Sequence, residues 1–160
     1  MKRYTILLPC VLILFFAGCD GARKPDGMPA LHQTTLTFTQ AGAPLAEASI
    51  RLSSQDPANA MWSSGGMTDG RGVLRVQTDG FDGVPAGTFT VVVSKVVTEG
   101  TRIVSEEEGA DSGLRSFHVV DAKYRSPATS DLTLEVTSGR NAETFDLGPA
   151  VREEVRTYED

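Results

Sequence analysis

Thr68-Asp69-Gly70-Arg71-Gly72-Val73-Leu74-Arg75-Val76-Gln77-Thr78-Asp79-Gly80-Phe81-Asp82-Gly83-Val84-Pro85-Ala86-Gly87-Thr88-Phe89-Thr90-Val91-Val92-Val93-Ser94-Lys95 is the stretch that decides the fold. It holds two alternating apolar runs, Val73–Val76 and Phe89–Val93, each introduced by Gly-rich turn chemistry. In Thr68–Gly72 an Asp can bond its own backbone two residues on, and the glycines permit positive φ. Leu74 and Val76 alternate with Arg75 and Gln77, the period of a half-buried strand. Pro85 blocks strand continuation in the loop that follows. Phe89, Val91 and Val93 then face one way, while Val92 and Val96 add apolar surface on the other. This is the grammar of an antiparallel sheet, with Phe89–Val93 as a central strand.

The flanking chain repeats the pattern. Leu36 and Phe38 alternate with Thr35, Thr37 and Thr39, and Ala48, Ile50 and Leu52 alternate with Ser49, Arg51 and Ser53. With Ala41-Gly42-Ala43-Pro44 between them, these two runs read as a β-hairpin. Residues 54–67 read as a polar excursion, and residues 98–113, rich in Glu and Gly, as a long loop. Leu114–Val120 reads as an edge strand. Leu132, Leu134 and Val136 alternate with polar residues, and Thr144–Leu147 supplies a last strand. The charged residues 151–160 read as a fraying tail or a helical turn. With no convincing helix, the pattern predicts an all-β chain, a seven-stranded antiparallel β-sandwich. Its core rows would be Leu36, Phe38, Ile50, Leu52, Leu74, Val76, Phe89, Val91, Val93, Leu132, Leu134, Val136, Phe145 and Leu147. At about 1.5–3 kcal/mol each before entropy, they suffice without a disulfide.

The N-terminus has a different character. Lys2 and Arg3, the apolar run Ile6–Phe16 and the small residues Ala17 and Gly18 form a signal peptide over residues 1–18, too short for a membrane span. Phe16-Ala17-Gly18-Cys19 resembles the bacterial lipobox, whose usual form is Leu-Ala/Ser-Gly/Ala-Cys; Phe16 departs from the preferred Leu. The resemblance implies diacylglycerol on the Cys19 thiol, cleavage before Cys19 and further acylation by chains such as palmitate. One acyl chain holds a protein only marginally, whereas two or three make attachment lasting. Cys10 leaves with the signal, so a mature disulfide, Cys-based zinc binding and thiol catalysis are all excluded. Residues 19–33, with two prolines and few large apolar side chains, read as a lipidated, flexible tether, with His32 in solvent. Residues 34–148 form the sandwich and 149–160 the tail. Of 15 basic residues, Lys2 and Arg3 leave with the signal, and the remaining 13 face 21 acidic ones. Such a surface argues against nucleic acid or anionic lipid as partners.

Gly42-Ala43-Pro44-Leu45-Ala46-Glu47-Ala48, Thr68–Gly72 and Val84-Pro85-Ala86-Gly87-Thr88-Phe89-Thr90-Val91 resemble the carboxypeptidase regulatory-like (transthyretin-like) domain, well over residues 34–97 and loosely over 130–147. Lys123-Tyr124 with Pro127 also resembles small planctomycete lipoproteins. The resemblance implies a transthyretin-like or immunoglobulin-like sandwich acting as an accessory, adhesive or spacer module, and it says little about activity.

Candidate chemistry is sparse. The enzyme best known on a transthyretin-like frame, 5-hydroxyisourate hydrolase, needs a strand-borne His and Arg and a C-terminal Tyr-Arg-Gly-Ser. Here Tyr124-Arg125-Ser126-Pro127 is internal and lacks the Gly. His118 has no Ser and Asp/Glu at recognisable spacing, and Gly-x-Ser-x-Gly is missing, so His118 reads as a satisfied or exposed edge-strand residue. Asp69, Asp79 and Asp82 sit in Gly-rich loops that could suit calcium, but without an Asp-x-Asp-x-Asp-Gly pattern they read as turn formers. A Lys–Asn isopeptide would need a lysine on Thr34–Thr39, which has none. Trp62, Phe81 and Tyr124 could build an aromatic platform for sugar. The expectation is a non-enzymatic envelope lipoprotein with no metal or cofactor, lipid-anchored through Cys19. Its sandwich would meet an envelope protein or polymer through residues 54–67 and 98–113; the alternative is a carbohydrate-binding module.

Overall fold

A computed structural model describes residues 23–100 and 114–155. Cys19, the signal segment, Glu106–Glu108 and residues 156–160 lie outside the described residues. In chain order the strands begin with β1 (Leu31–His32), β2 (Thr34–Gln40), β3 (Ala43–Pro44), β4 (Ser49–Ser54) and β5 (Ser64–Met67). Next come β6 (Val73–Arg75), β7 (Gln77–Thr78), β8 (Phe81–Asp82), β9 (Val84–Pro85) and β10 (Gly87–Ser94). The last are β11 (Val96–Gly100), β12 (Leu114–His118), β13 (Thr133–Val136), β14 (Asn141–Asp146) and β15 (Glu153–Glu154). Two short 3₁₀ turns, Pro57–Asn59 and Ala122–Arg125, interrupt them.

The chain is an all-β sandwich. One sheet runs β13-β10-β4-β5-β7-β8, and the other runs β14-β2-β3 with β6 also paired to β2. A third sheet, β11-β12-β15, and the short β1-β9 ladder complete the pairing. The alternating rows bury as their period requires: Leu36, Phe38, Val91 and Val93 are fully enclosed, and Leu132 is the one member of the expected core rows left partly exposed. Phe38 and Phe145 are register partners, and their rings stack with centroids 5.5 Å apart. The core also takes in Leu45, Val84, Val120 and Tyr124, which periodicity did not reveal because they lie in turns and two-residue strands. Central placement for Phe89–Val93 holds, since β10 lies between β13 and β4.

Several expectations need correction. β2 and β4 do not form a hairpin: β2 belongs to one sheet and β4 to the other. Ala41 (φ 51°) and Gly42 (φ 78°) do reverse the chain, but only into β3. The Leu45 N–H still donates to the Phe38 carbonyl at 2.9 Å, and the Leu45 side chain turns into the core. The polar excursion contains a true strand, β5, between β4 and β7. Its signal is hidden because Gly65 must be glycine, a Cβ there falling 2.2 Å from the Ile50 carbonyl oxygen. β12 is not an edge strand, because β15 from the charged tail pairs with its free side. The tether ends early: Leu31 and His32 already pair with Val84 and Pro85, and His32 is half-buried. One pairing breaks the antiparallel rule, β14 running parallel to β2.

Buried hydroxyls hold the corners where the chain changes sheets. Thr68 Oγ1 donates to the Leu45 carbonyl at 2.6 Å and accepts from the Ala48 N–H at 2.9 Å. Thr78 Oγ1 donates to the Gly83 carbonyl at 2.7 Å and lies 2.8 Å from Ser64 Oγ. Removing such a hydroxyl strips a partner from buried backbone groups that cannot reach water. Thr68→Val should therefore lose about 2–4 kcal/mol in urea unfolding, while Thr68→Ser stays within about 1 kcal/mol of the parent. Equal losses for the two variants would show that shape, not the hydroxyl, holds the corner.

Candidate functional site

A groove of about 460 Å³ opens where the entering chain meets the second sheet, and Arg75, Arg140, Asp82, Asn141, Gln33 and Thr35 line it. Strand register explains its shape. Thr35 on β2 is flanked by Arg75 on β6 and by Ala142 on β14, so two small side chains occupy the middle and leave room. β6 and β14 lie on opposite sides of β2, about 9.5 Å apart at ordinary strand spacing. Arg75 and Arg140 thus stand at two sides of the groove.

The surroundings of this groove are tightly fixed. The Gly83 N–H donates to the Val76 carbonyl at 2.9 Å, and the Val76 N–H donates to that of Thr34 at 3.0 Å. A Cβ on Gly83 (φ +106°) would sit 2.8 Å from the His32 carbonyl oxygen, so only glycine lets β1 pass. His32 Nδ1 in turn accepts the Gly139 N–H at 3.3 Å. Asn141 closes the same turn, its Oδ1 accepting the Thr137 N–H and its Nδ2 donating to the Thr137 carbonyl. Its own N–H donates to Gln33 O at 2.8 Å. The backbone carrying Arg140 is therefore set in advance of any ligand.

Charge distribution singles the groove out. Arg71, Arg115, Arg125 and Arg152 pair with Asp69, Glu154, Glu153 and Glu99 respectively. Among the described residues, Arg75 and Arg140 make neither an ion pair nor a side-chain hydrogen bond, and both are exposed. Arg51 on β4 is also without an ion pair, but it stands as a single cation in a shallower hollow that Asp79 shares. Among the described residues Asp82 is the single carboxylate lining the larger groove, and it accepts from Gln77 Nε2 at 2.9 Å.

The aromatic candidates do not come together as one platform. Tyr124 is 7 % exposed and belongs to the core, with Lys123 Nζ 4.4 Å from its ring centroid. Trp62 and Phe81 are half-buried. They flank a link in which the Asp79 N–H donates to the Ser63 carbonyl and the Ser63 N–H donates to Asp79 Oδ1. Asp69 likewise serves its turn, its Oδ1 accepting the N–H groups of Arg71 and Val73. These backbone bonds hold its carboxyl below the usual range. No group of three or more His, Cys, Asp or Glu suited to a metal occurs among the described residues. His118 is half-buried on the central strand of the third sheet, with Nδ1 enclosed and unpartnered among the described residues.

No protein-family model matches the chain, and comparisons with curated proteins and with solved structures find no significant match.

Sequence reasoning missed both arginines of the groove: Arg75 reads only as the polar partner in the Leu74/Val76 alternation, and Arg140 carries no signal of its own. Nothing local marks them, because a missing cross-strand carboxylate becomes visible only once the strands are paired.

The third sheet has a separate electrostatic design. Arg125 binds Glu153 and Arg115 binds Glu154, which draws the tail onto β12. Arg152 donates two hydrogen bonds to Glu99, both at 2.8 Å, and lies over the Phe117 ring with its guanidinium carbon 3.6 Å from the centroid. These bonds from Arg152 hold the Glu99 carboxyl below its ordinary 4.5. A depressed carboxylate stabilises the fold above its unfolded value, and that contribution is lost as pH falls through the folded value. Carboxyl-resolved NMR titration should place the Glu99 midpoint below 4.5, and Arg152→Gln should return it to the ordinary value. A midpoint insensitive to Arg152 would rule out the clamp.

Proposed function

We propose that the chain is a lipid-anchored, non-enzymatic lipoprotein of the bacterial envelope that displays its β-sandwich as an interaction or structural module. The order of segments carries this proposal: a lipobox-like Phe16-Ala17-Gly18-Cys19 stands a short, Pro- and Gly-bearing stretch ahead of Leu31, the first strand-paired residue among those described. Arg23–Gly27, the first described part of that stretch, is solvent-exposed and carries no strand. Residues in such a setting act as a spacer between a bilayer and a folded body. The partner would be an envelope protein or polymer.

A second function, carbohydrate binding, draws support from Trp62 and Phe81, which stand half-exposed near one link between β5 and β7. Half-exposed rings suit stacking on the apolar faces of sugars. On this alternative, Trp62→Ala should abolish a hit on a glycan array; retention of every hit would remove Trp62 from recognition.

The anchor is tested by intact mass and detergent partitioning of the protein made in a bacterial host, beside Cys19→Ser. The wild-type chain should carry an acyl mass increment and enter the detergent phase, and the variant should do neither. Equal solubility with cleavage elsewhere would make the protein a secreted or periplasmic module instead.

A further inference from the structure

We infer that the groove between Arg75 and Arg140 is a binding site for a small polar ligand carrying an oxyanion, a carboxylate or a phosphate, together with hydroxyl groups. This assignment deepens the display-module function proposed above by giving the module a ligand class.

Three observations converge on it. The chain is acidic, with a formal net charge of −6, yet two arginines without ion pairs line one groove. Four of the eight described arginines, Arg71, Arg115, Arg125 and Arg152, find carboxylates, and of the other four Arg75 and Arg140 are the two that share a groove. A guanidinium offers a planar fork of donors matched to the two oxygens of a carboxylate or phosphate, and charge-assisted bonds of this kind are the strong ones. Second, the groove volume of about 460 Å³ falls within the range of small-ligand sites, large enough for one or two sugar rings. Third, beside Val76, Gly83 and Ala142 the groove carries hydrogen-bonding groups: Gln33, Thr35, Asp82 and the second Nδ2 hydrogen of Asn141 can meet hydroxyls, and Asp82 as an acceptor would reject an anion placed on its own side. The oxyanion is thereby directed toward the arginines and the hydroxyls toward the amides and Asp82.

The walls are preorganised. Gly83 admits β1, His32 Nδ1 accepts from Gly139, and Asn141 closes the turn that carries Arg140. His32 is thus a positioning residue, acting on the ligand only through the Arg140 turn.

The test uses the full chain carrying Cys19→Ser, with binding followed by calorimetry and by NMR shifts. Digalacturonate supplies the carboxylate and glucose 6-phosphate the phosphate, with galactobiose and glucose as neutral counterparts. At least one anionic probe should bind more tightly than its neutral counterpart. Arg75→Gln and Arg140→Gln should each weaken it on the order of tenfold. The double variant should lose binding while keeping the parent melting temperature, since neither side chain makes an ion pair or hydrogen bond among the described residues. Whichever anion binds identifies the source of the oxyanion. Equal binding of neutral and anionic sugars, unchanged affinity in the double variant, or binding of neither anion would overturn the assignment. Binding is read without the lipid, so a failed anchor and a failed groove give separate results.

Discussion

Burial of β2 is the constraint on which the rest of the molecule depends. Leu36 and Phe38 are fully enclosed, and every strand of the second sheet pairs with this one segment. The Phe38–Phe145 stack joins an early strand to a late one, so the core forms only when both ends of the domain have been brought together. Removing a side chain of that size from a packed interior typically costs about 3–5 kcal/mol, a large share of the stability of one small domain. The groove inherits this rigidity, because Thr35 stands between Leu36 and Thr34 on the same strand, with both of those side chains buried.

The interior was largely legible in the sequence. Alternation at Leu36/Phe38, Ile50/Leu52 and Phe89/Val91/Val93 states directly which side chains face inward, because a strand repeats every two residues. Connectivity was less legible. A turn such as Ala41–Gly42 announces a reversal without saying whether the next long run stays in the same sheet, and here Leu45 carries the chain across to the other. β5 and β15 escaped notice for different reasons: Gly65 and Gly66 have no β propensity to read, and Glu153 and Glu154 are held by arginines distant in sequence.

The groove was illegible for a related reason. Periodicity reports burial, and the arginines that define the groove are exposed. What distinguishes Arg75 and Arg140 from the four paired arginines is the company they lack, which depends on three strands meeting in one register. Tyr124 shows the converse. As one of three aromatics suited to stacking on sugar it suggested a surface platform, and the 3₁₀ turn at Ala122–Arg125 instead rotates its ring into the core.

Parallel pairing of β14 with β2 has a mechanical consequence. Tension applied through the N-terminal stretch enters at β1 and the start of β2, while a load on the far end of the domain leaves through the end of β14. In a parallel pair these forces pull the two strands past each other along their length, so the ladder from Thr34–Asn141 to Thr39–Asp146 is loaded together. An antiparallel pair pulled from adjacent ends would instead unzip, its bonds breaking in succession. The topology therefore sets the β2–β14 ladder to resist a force directed along the two strands.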